Sequence, residues 1–359
     1  MKKVLFVWNW LKVGGSETAL IRLAKYLQDY YDISILCHEN IIEYDVSSKI
    51  NIYTVQQTKY LFIKKILDKV YLIKDIWVRS NSTGTIITYE VPVIAICCYM
   101  IARLKGKKII IWNHSCRDEL KLTTNYILEI IYKHVLRRSD LIINVSKHAE
   151  DSLFRYLNLT HMSNSTVIYN IIEPVEDLEL INEDSNKIFS IVAVGSLVAE
   201  KNFPLLIRAV HEFDLNHGVK VMLTIYGEGS ERIKLTSIIQ ELQLESRVFL
   251  AGKVKNPEKY MRNSDLVVSV SNSESFSLVV CEAMLAKKPI IATNTGAAEV
   301  LDNGRYGIVI QRGSLMQLVS AILQVMRDPD DAKIKINQYD KALLRFNPKD
   351  IIPKWINYL

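Results

Sequence analysis

The sequence predicts an α/β protein built from two Rossmann-like units, each with a doubly wound parallel sheet. Short apolar strands alternate with helical patterns in the first half, and the same alternation restarts in the second half. Between them, 170–187 breaks the rhythm with a proline and an acidic cluster, which predicts an interdomain linker. The 359 residues, 49% of them hydrophobic, suffice for two cores. Ligands of such sheets bind beyond the carboxyl ends of strands, so residues just after each strand are the first candidates.

In the first half, the predicted strands are short apolar runs: KVLFVWNW, DISILC, TIITYE, KKIIIWNH and DLIINVS. Helical patterns between them predict helices from Ser16 to about Asp29, from Ile94 to Leu104 and from about Tyr126 to Leu136. In the second half, the predicted strands are IFSIVAVGS, KVMLTIYGEG, RVFLAG, Leu266 to Val270 and one that opens after Pro289. Helices are predicted from about Pro204 to Phe213, up to Leu242 and from about Ser277.

The cysteine spacing and the apolar stretches indicate which class of protein the sequence belongs to. The five cysteines show no C-x-x-C spacing and mostly lie in apolar runs, which is typical of reduced core residues in a cytosolic protein without a disulfide or zinc framework. The start, MKKVLFVWNW, is interrupted by Asn9 and Lys12 before a signal-peptide core can form, and it is better interpreted as a buried strand. The longest apolar stretch, Val91 to Ala102, has about twelve residues, whereas about twenty are needed to span a bilayer.

Charge is uneven along the chain. Residues 1–150 carry 22 Lys+Arg and 14 Asp+Glu, a net charge of +8, and the remainder carries 23 and 25, a net charge of −2. Within the basic half, KYLFIKKILDKVYLIKDIWVR alternates basic and apolar residues at helical spacing. Two interpretations stay open: a helix on an anionic membrane surface, or an ordinary amphipathic helix with solvated lysines. No nucleic-acid-binding motif accompanies the charge, so no nucleic-acid partner is expected.

The most informative segment is DLVVSVSNSESFSLVVCEAMLAKKPIIATNTGAAE, from Asp265 to Glu299. It predicts a buried strand, a polar loop with Glu274 at its tip, and a helix that contains Glu282. The first turn of that helix offers unpaired N–H groups and the positive end of a dipole to a phosphate. Glu282 would lie about 7 to 8 Å further along the axis, where a carboxylate can accept both hydroxyls of an attached ribose.

The pattern S-x-x-E-x-F-x-L-x-x-x-E-A-M, followed by P-x-x-A-T and G-x-x-E, resembles the retaining GT-B glycosyltransferases of family 4. The resemblance implies two Rossmann-like domains that face each other across a cleft: an acceptor domain at 1–170 and a nucleotide-sugar donor domain at 171–340. It also implies that a C-terminal helix in 341–359 crosses back to the first domain.

The resemblance also implies a role for each matching residue. Glu282 would hold the ribose, Lys201 and the helix start would hold the diphosphate, and Glu274 and His114 would orient the transferred sugar, with Asp118 and Glu119 as neighbours of His114. The implied catalytic residues are therefore Glu274, His114 and Lys201. The further donor-binding residues are Ser277, Leu278, Val279, Phe276, Gly14, Gly15, Ser196, Gly227, Lys253, Val254 and Arg232.

Two residues depart from the family pattern. Ser196 stands where the family has an arginine, which removes one cation from the leaving-group site, and Arg232 is a candidate to replace it in part. Ala297 replaces the second glycine of G-G-x-x-E. The Gly14-Gly15 pair opens a helix without the G-x-G-x-x-G fingerprint, which argues against a dehydrogenase.

The resulting hypothesis is a retaining glycosyltransferase that moves a sugar from a nucleoside diphosphate to a hydroxyl of a lipid-linked saccharide in bacterial surface polysaccharide synthesis. The resemblance implies metal-independent chemistry, so no metal and no cofactor are expected. The expected location is the cytoplasm, with a peripheral position at the inner membrane face. The alternatives are a soluble transferase with a small sugar acceptor, a nucleotide-sugar epimerase or hydrolase of the same fold, and a binding protein without chemistry.

Overall fold

The computed structural model describes residues 1–57, 64–119, 125–173, 188–213, 215 and 220–359, and within helix α2 it describes side chains from Leu67 onward. The predicted linker at 170–187 therefore lies largely outside the described residues, as does the start of the basic segment at 59–63. Contacts divide the chain into a first unit, Met1–Ile171 with Pro348–Leu359, and a second unit, Ile172–Asn347.

The first unit has a seven-stranded parallel sheet in the order β3-β2-β1-β4-β5-β6-β7. Its strands are β1 Lys3–Trp8, β2 Asp32–Cys37, β3 Asn51–Thr54, β4 Thr85–Tyr89, β5 Lys108–Asn113, β6 Leu141–Asn144 and β7 Ser165–Val167. Its helices are α1 Gly15–Leu27, α2 Lys64–Arg79, α3 Pro92–Leu104, α4 Tyr126–Arg138, α5 Lys147–Leu157 and, from the end of the chain, α14 Pro348–Ile356.

The second unit has a six-stranded parallel sheet in the order β10-β9-β8-β11-β12-β13. Its strands are β8 Phe189–Val194, β9 Val221–Tyr226, β10 Val248–Gly252, β11 Leu266–Ser269, β12 Ile290–Thr293 and β13 Ile308–Ile310. Its helices are α6 Phe203–Glu212, α7 Arg232–Glu241, α8 Pro257–Arg262, α9 Leu278–Leu285, α10 Gly296–Val300, α11 Leu315–Arg327, α12 Pro329–Ile336 and α13 Tyr339–Leu343.

These sheets confirm the predicted fold class of two parallel, Rossmann-like α/β units. The central strands are apolar on both faces because helices cover both, as β1 shows with five consecutive buried residues. The three strands that the sequence did not predict, β3, β7 and β13, are outer strands of their sheets. They are short and only partly buried, so they lack the long apolar run by which the others were recognised.

The order of strands creates a switch point in each sheet. In the second sheet, β8 and β11 are neighbours, but the chain leaves β8 toward β9 and leaves β11 toward β12. The loops that follow β8 and β11 therefore diverge and open a crevice at the carboxyl edge. In the first sheet, β1 and β4 form the corresponding pair.

Candidate active site

In the second unit, the loops that flank the switch point bring Lys201 and Glu274 together. Lys201 lies in a 3-10 turn after β8, and its ammonium donates a short hydrogen bond to a carboxylate oxygen of Glu274, which follows β11. The loops are also joined directly, since the Asn272 N–H donates to the Glu200 carbonyl at 2.7 Å. Both charged side chains keep about a fifth of their surface exposed, 22% for Lys201 and 18% for Glu274. A cation and an anion are thus held at the crevice and remain accessible to a ligand.

The N-terminus of α9 lies on the same loop, and its geometry is unusual. Ser277 precedes the helix with φ 73° and ψ 83°, a left-handed conformation that serine rarely adopts. Its side chain makes no capping bond, and its buried Oγ has no hydrogen-bond partner among the described residues. The first N–H groups of a helix also lack intrahelical partners. A buried hydroxyl without a partner thus lies beside a helix N-terminus, and helix N-termini are places where anions bind.

Glu282 is the fifth residue of α9, so its Cα lies about 6 Å along the axis from Leu278. It is half-buried, whereas its neighbours Cys281 and Ala283 are buried. Phe276, one residue before Ser277, is buried and packs edge-on against Phe346 at 5.1 Å between ring centroids. Phe276 therefore anchors the loop in the core instead of lining an open surface.

Gly296 fixes the Glu274 loop from the other side. The Gly296 N–H donates to the Glu274 carbonyl at 2.7 Å. A Cβ atom at this position would lie 2.1 Å from the carbonyl oxygen of Ser275, far inside contact distance. Gly296 is therefore required for the close approach of α10 to this loop.

The glycines after β8 and β9 bring the other predicted loops together. A Cβ on Gly227 would lie 1.8 Å from the Gly195 carbonyl oxygen, and the Gly227 N–H donates to the Gly252 carbonyl at 2.8 Å. Ser196, between these loops, is exposed. Lys253 and Val254 follow β10, which lies two strands from β8 and hence about 10 Å away along the sheet edge.

Arg232 has other partners. Its guanidinium pairs with Glu228 at 2.7 Å and donates to the Leu250 carbonyl at 3.1 Å. It is thereby tied to the loop after β9 and to β10, and these contacts give no support to its predicted role as a substitute for the arginine missing at 196.

In the first unit, Gly14 and Gly15 lie after β1 at the start of α1. Gly14 has an extended backbone that any residue can adopt. A requirement for glycine here therefore comes from the space available to a side chain and not from the backbone angle φ. A Cβ there would lie 2.6 Å from a carboxylate oxygen of Glu17. Glu17 is buried, and burial raises the pKa of its carboxyl group.

His114 follows β5 and lies among aromatic rings. Its ring centroid is 4.4 Å from that of Trp112 and 5.9 Å from that of Trp8, and its backbone N–H donates to Glu90 Oε2 at 2.8 Å. Burial lowers the pKa of the imidazole to about 3, so the ring is neutral at physiological pH. A neutral ring fits the predicted role of positioning a sugar by hydrogen bonding and does not fit a cationic role.

Sequence reasoning missed Glu90 as a candidate site residue, although this residue comes directly after β4 at the switch point. Its carbonyl accepts hydrogen bonds from Arg117 at 3.0 Å and from the Tyr132 hydroxyl at 3.1 Å. The rule of inspecting the residue after each strand would have identified it.

Asp118, predicted as a neighbour of His114, has partners on α5 instead. It accepts hydrogen bonds from Ser152 and Arg155. Burial by itself would raise the pKa of this carboxyl group, but these hydrogen bonds outweigh burial and hold it below its usual value. Asp118 therefore fixes the loop after β5 to α5.

One group of potential metal ligands occurs among the described residues: Cys116, Glu119 and His148, whose ligand atoms lie within 4.8 Å of one another. A thiol, a carboxylate and an imidazole are ligand types that zinc accepts. The expectation of metal-independent chemistry stays a prediction.

A polar cavity of about 350 Å³ opens in the first unit at the carboxyl end of β3. It is lined by two consecutive glutamines after the strand, by nearby polar groups and by part of α2: Asn40, Thr54, Val55, Gln56, Gln57, Tyr71, Lys74 and Asp75. Amides and a carboxylate beside an aromatic ring are suited to hydroxyl-rich ligands. In the part of the chain that the structure describes, no helix is both long and apolar enough to cross a bilayer.

Comparisons with known proteins identify the family. Residues 13–176 match the family described as Glycosyltransferase Family 4, and residues 177–342 match Glycosyl transferases group 1. Among curated relatives, the poly(ribitol-phosphate) alpha-N-acetylglucosaminyltransferase of Staphylococcus aureus is 29% identical over 46% of this chain and 34% of its own length. The N-acetylgalactosamine-N,N'-diacetylbacillosaminyl-diphospho-undecaprenol 4-alpha-N-acetylgalactosaminyltransferase of Campylobacter jejuni is 26% identical over 62% of this chain and 61% of its own length. The chain thus spans about a third of the first relative and three fifths of the second.

Among solved structures, Anabaena Alr3699/HepE in complex with UDP-glucose superposes with a TM-score of 0.80 at 20% identity, and the match covers 100% of both chains. At that identity, the likeness establishes the shared fold. The two family matches adjoin one another and cover 13–342. The chain therefore belongs to the group 1/family 4 glycosyltransferases, and it is a transferase of the GT-B fold.

Proposed function

We propose that this glycosyltransferase takes its sugar from a nucleoside diphosphate, retains the anomeric configuration, and transfers the sugar to a hydroxyl of a lipid-linked saccharide in bacterial surface polysaccharide synthesis. The donor-binding residues are those of the second unit, with Glu282 on the ribose and the N-terminus of α9 on the diphosphate. His114, in the first unit, has the neutral imidazole that a sugar-orienting hydrogen bond requires.

The observation that supports this proposal best is the N-terminus of α9. The buried Ser277 Oγ has no partner among the described residues, and the helix presents its first N–H groups beside it. A diphosphate supplies acceptors for both. These donors stabilise the leaving group most strongly when the glycosidic bond breaks, because negative charge then builds up on the diphosphate.

Lys201 contributes the nearby cation. Its ammonium pairs with Glu274. When the donor binds, a diphosphate oxygen is the stronger competitor for the ammonium, and Glu274 becomes available to accept hydroxyls of the transferred sugar. The pair thus keeps both groups oriented before the donor arrives, which lowers the cost of ordering them on binding.

The acceptor half of the proposal rests on the first unit. The cavity at the end of β3 presents amides, a carboxylate, an ammonium and a tyrosine ring, which are suited to a saccharide. The Campylobacter relative acts on an undecaprenol-linked diphosphosaccharide according to its name. A lipid-linked acceptor would also place this protein at the inner face of the cell membrane.

The ribose contact can be tested by comparing two ligands. Glu282→Gln should weaken UDP binding about 10- to 100-fold, because a charge-assisted hydrogen bond contributes about 1.5 to 3 kcal/mol. The same substitution should leave the affinity for 2′,3′-dideoxy-UDP unchanged, since that ligand has no ribose hydroxyls to accept. Isothermal titration calorimetry measures both affinities, and Glu245→Gln, an exposed glutamate of the same unit, is the control.

An equal loss of affinity for both ligands would show that Glu282 does not bind the ribose hydroxyls. If the wild type binds none of UDP, GDP and ADP in a thermal-shift screen, the nucleotide donor itself is wrong. Retention is tested separately by NMR of the newly formed glycosidic linkage. An anomeric configuration opposite to that of the donor would refute it.

A further inference from the structure

The exposed sides of α2, α3 and α4 have an unusual composition. The helices lie side by side on one face of the first sheet, because α3 packs against both α2 and α4. Of their described side chains, sixteen are exposed, and ten of these are large and apolar. On α2 the exposed residues are Lys69, Val70, Ile73, Lys74, Trp77 and Val78, on α3 they are Met100, Arg103 and Leu104, and on α4 they are Tyr126, Ile127, Ile130, Ile131, His134, Arg137 and Arg138. We call these sixteen residues the three-helix surface.

The apolar members of this surface are well exposed. Tyr126 is 75% exposed, Leu104 is 73% exposed and Ile127 is 70% exposed. Soluble proteins rarely present so many large apolar side chains on adjoining helices, and such a patch marks an interaction site. On each helix these residues recur at spacings of three and four, so they form a continuous stripe that faces away from the core.

The charged members are all basic. None of the sixteen exposed residues is acidic, and the acidic residues within these three helices are withdrawn or paired. Asp68 is buried, Asp75 lines the β3 cavity, and Glu129 pairs with Lys133 at 3.3 Å. Arg103 is neutralised by Asp140 at 2.8 Å. By contrast, Lys69, Lys74, Arg137 and Arg138 have no carboxylate within 4 Å in the described part of the chain.

Trp77 is an apolar member of the three-helix surface that lies directly beside a cation. Its ring is 44% exposed, and the ammonium of Lys105 lies 4.0 Å from the ring centroid. An indole ring beside a cation is the combination that is enriched where proteins meet the headgroup region of a bilayer.

We infer that the three-helix surface docks on an anionic lipid bilayer, with its apolar side chains at the level of the headgroups and its lysines and arginines on lipid phosphates. A second copy of the chain is a poorer occupant, because a symmetric dimer would place the same unpaired cations against one another. The inference favours the membrane interpretation of the basic segment, since the exposed face of α2 is apolar as well as basic. The biological purpose of docking rests on the proposed transfer to a lipid-linked acceptor, but docking itself is measurable without donor or acceptor.

The test is co-sedimentation of the full chain with vesicles. Binding is expected to phosphatidylcholine vesicles that contain phosphatidylglycerol, and it should be much weaker to phosphatidylcholine alone. High salt should release most of the protein from the anionic vesicles, because salt screens the contacts to the lipid phosphates.

Two double variants separate the contributions of the basic and the apolar side chains to vesicle binding. Lys69→Glu with Arg138→Glu should lower vesicle affinity by about tenfold or more, because each basic residue near an anionic surface contributes several-fold. Ile127→Ser with Ile131→Ser should lower it by a similar factor through lost apolar contact. The matched controls lie on exposed positions of the second unit: Lys220→Glu with Lys341→Glu, and Ile233→Ser.

Unchanged vesicle binding in both surface variants overturns the inference, as does equal loss in the controls. A dimer in light scattering that the surface variants convert to monomer would assign this face to a second copy. Each variant is checked by its thermal unfolding and by its UDP-induced thermal shift. Because that shift reports only on the donor site, failure of docking and failure of the proposed chemistry are distinguishable.

Discussion

At the scale of single residues, the two members of the Lys201–Glu274 pair should affect nucleotide binding in different ways. Lys201→Ala removes the cation and leaves the Glu274 carboxylate unneutralised near the diphosphate. Glu274→Gln removes the competing anion and leaves the cation free for phosphate. The two variants should therefore change UDP affinity in opposite directions, although both remove the same salt bridge.

The expected results are specific. UDP binding should weaken by about tenfold or more in Lys201→Ala, in line with the 1.5 to 3 kcal/mol of a charged hydrogen bond. In Glu274→Gln UDP binding should be tighter, whereas sugar transfer should fall sharply because the sugar loses an acceptor. Calorimetry with UDP and a transfer assay measure these two properties. Equal weakening of UDP binding in both variants would mean that the pair acts only as a structural clamp.

Sequence reasoning reached part of this site. It selected Lys201, Glu274 and Glu282 from their spacing and from the family pattern. It did not foresee the ion pair, because residues 73 positions apart in sequence meet only through the order of the strands. It also missed the left-handed backbone of Ser277, because serine carries no signal for a positive φ. Glu90 was overlooked because the strand pattern absorbed it as a terminal residue.

At the scale of elements, the contact between α10 and the Glu274 loop depends on Gly296. Alanine favours a helix over glycine by about 1 kcal/mol in general. Here its Cβ would lie 2.1 Å from the Ser275 carbonyl oxygen, so the loop must move. Gly296→Ala should therefore lower the free energy of unfolding by about 1 to 3 kcal/mol, as overpacking does, and should impair transfer.

Urea denaturation and the transfer assay test this expectation. Gly84→Ala is the control, because a Cβ there would meet nothing closer than 4.0 Å. A stabilised Gly296→Ala variant with full activity would show that the loop position is unimportant.

Element boundaries were predicted well where an apolar run was continuous and poorly where it was not. The predicted helices at Ile94 to Leu104 and Pro204 to Phe213 are observed as Pro92–Leu104 and Phe203–Glu212. The outer strand β7, Ser165–Val167, was not predicted, since three half-buried residues form no recognisable pattern. Central strands are buried on both faces, so they have continuous apolar runs that can be recognised in the sequence. Outer strands are not buried on both faces and lack such runs.

At the scale of the whole molecule, the last residues of the chain belong to the first unit. Trp355 of α14 is 1% exposed, and its ring packs edge-on against Trp112 at 4.9 Å between centroids. Trp355→Ala should lower the free energy of unfolding of the first unit by about 3 to 5 kcal/mol, the usual cost of removing a large buried aromatic side chain. Urea denaturation followed by far-UV circular dichroism measures it.

Trp77→Ala is the matched control, because Trp77 is 44% exposed and its loss should change the unfolding free energy little. If Trp355→Ala were as stable as this control, α14 would not be an integral part of the first unit.

The tryptophans of the first unit, several of them around His114, also provide an intrinsic fluorescence signal. All five tryptophans, Trp8, Trp10, Trp77, Trp112 and Trp355, belong to the first unit, and 172–347 contains none. Tryptophan fluorescence therefore does not report direct contact between a nucleotide and the second unit. A change in tryptophan emission when UDP is added would instead report an effect that reaches the first unit, and its rate in a stopped-flow experiment would time that communication without any attached dye.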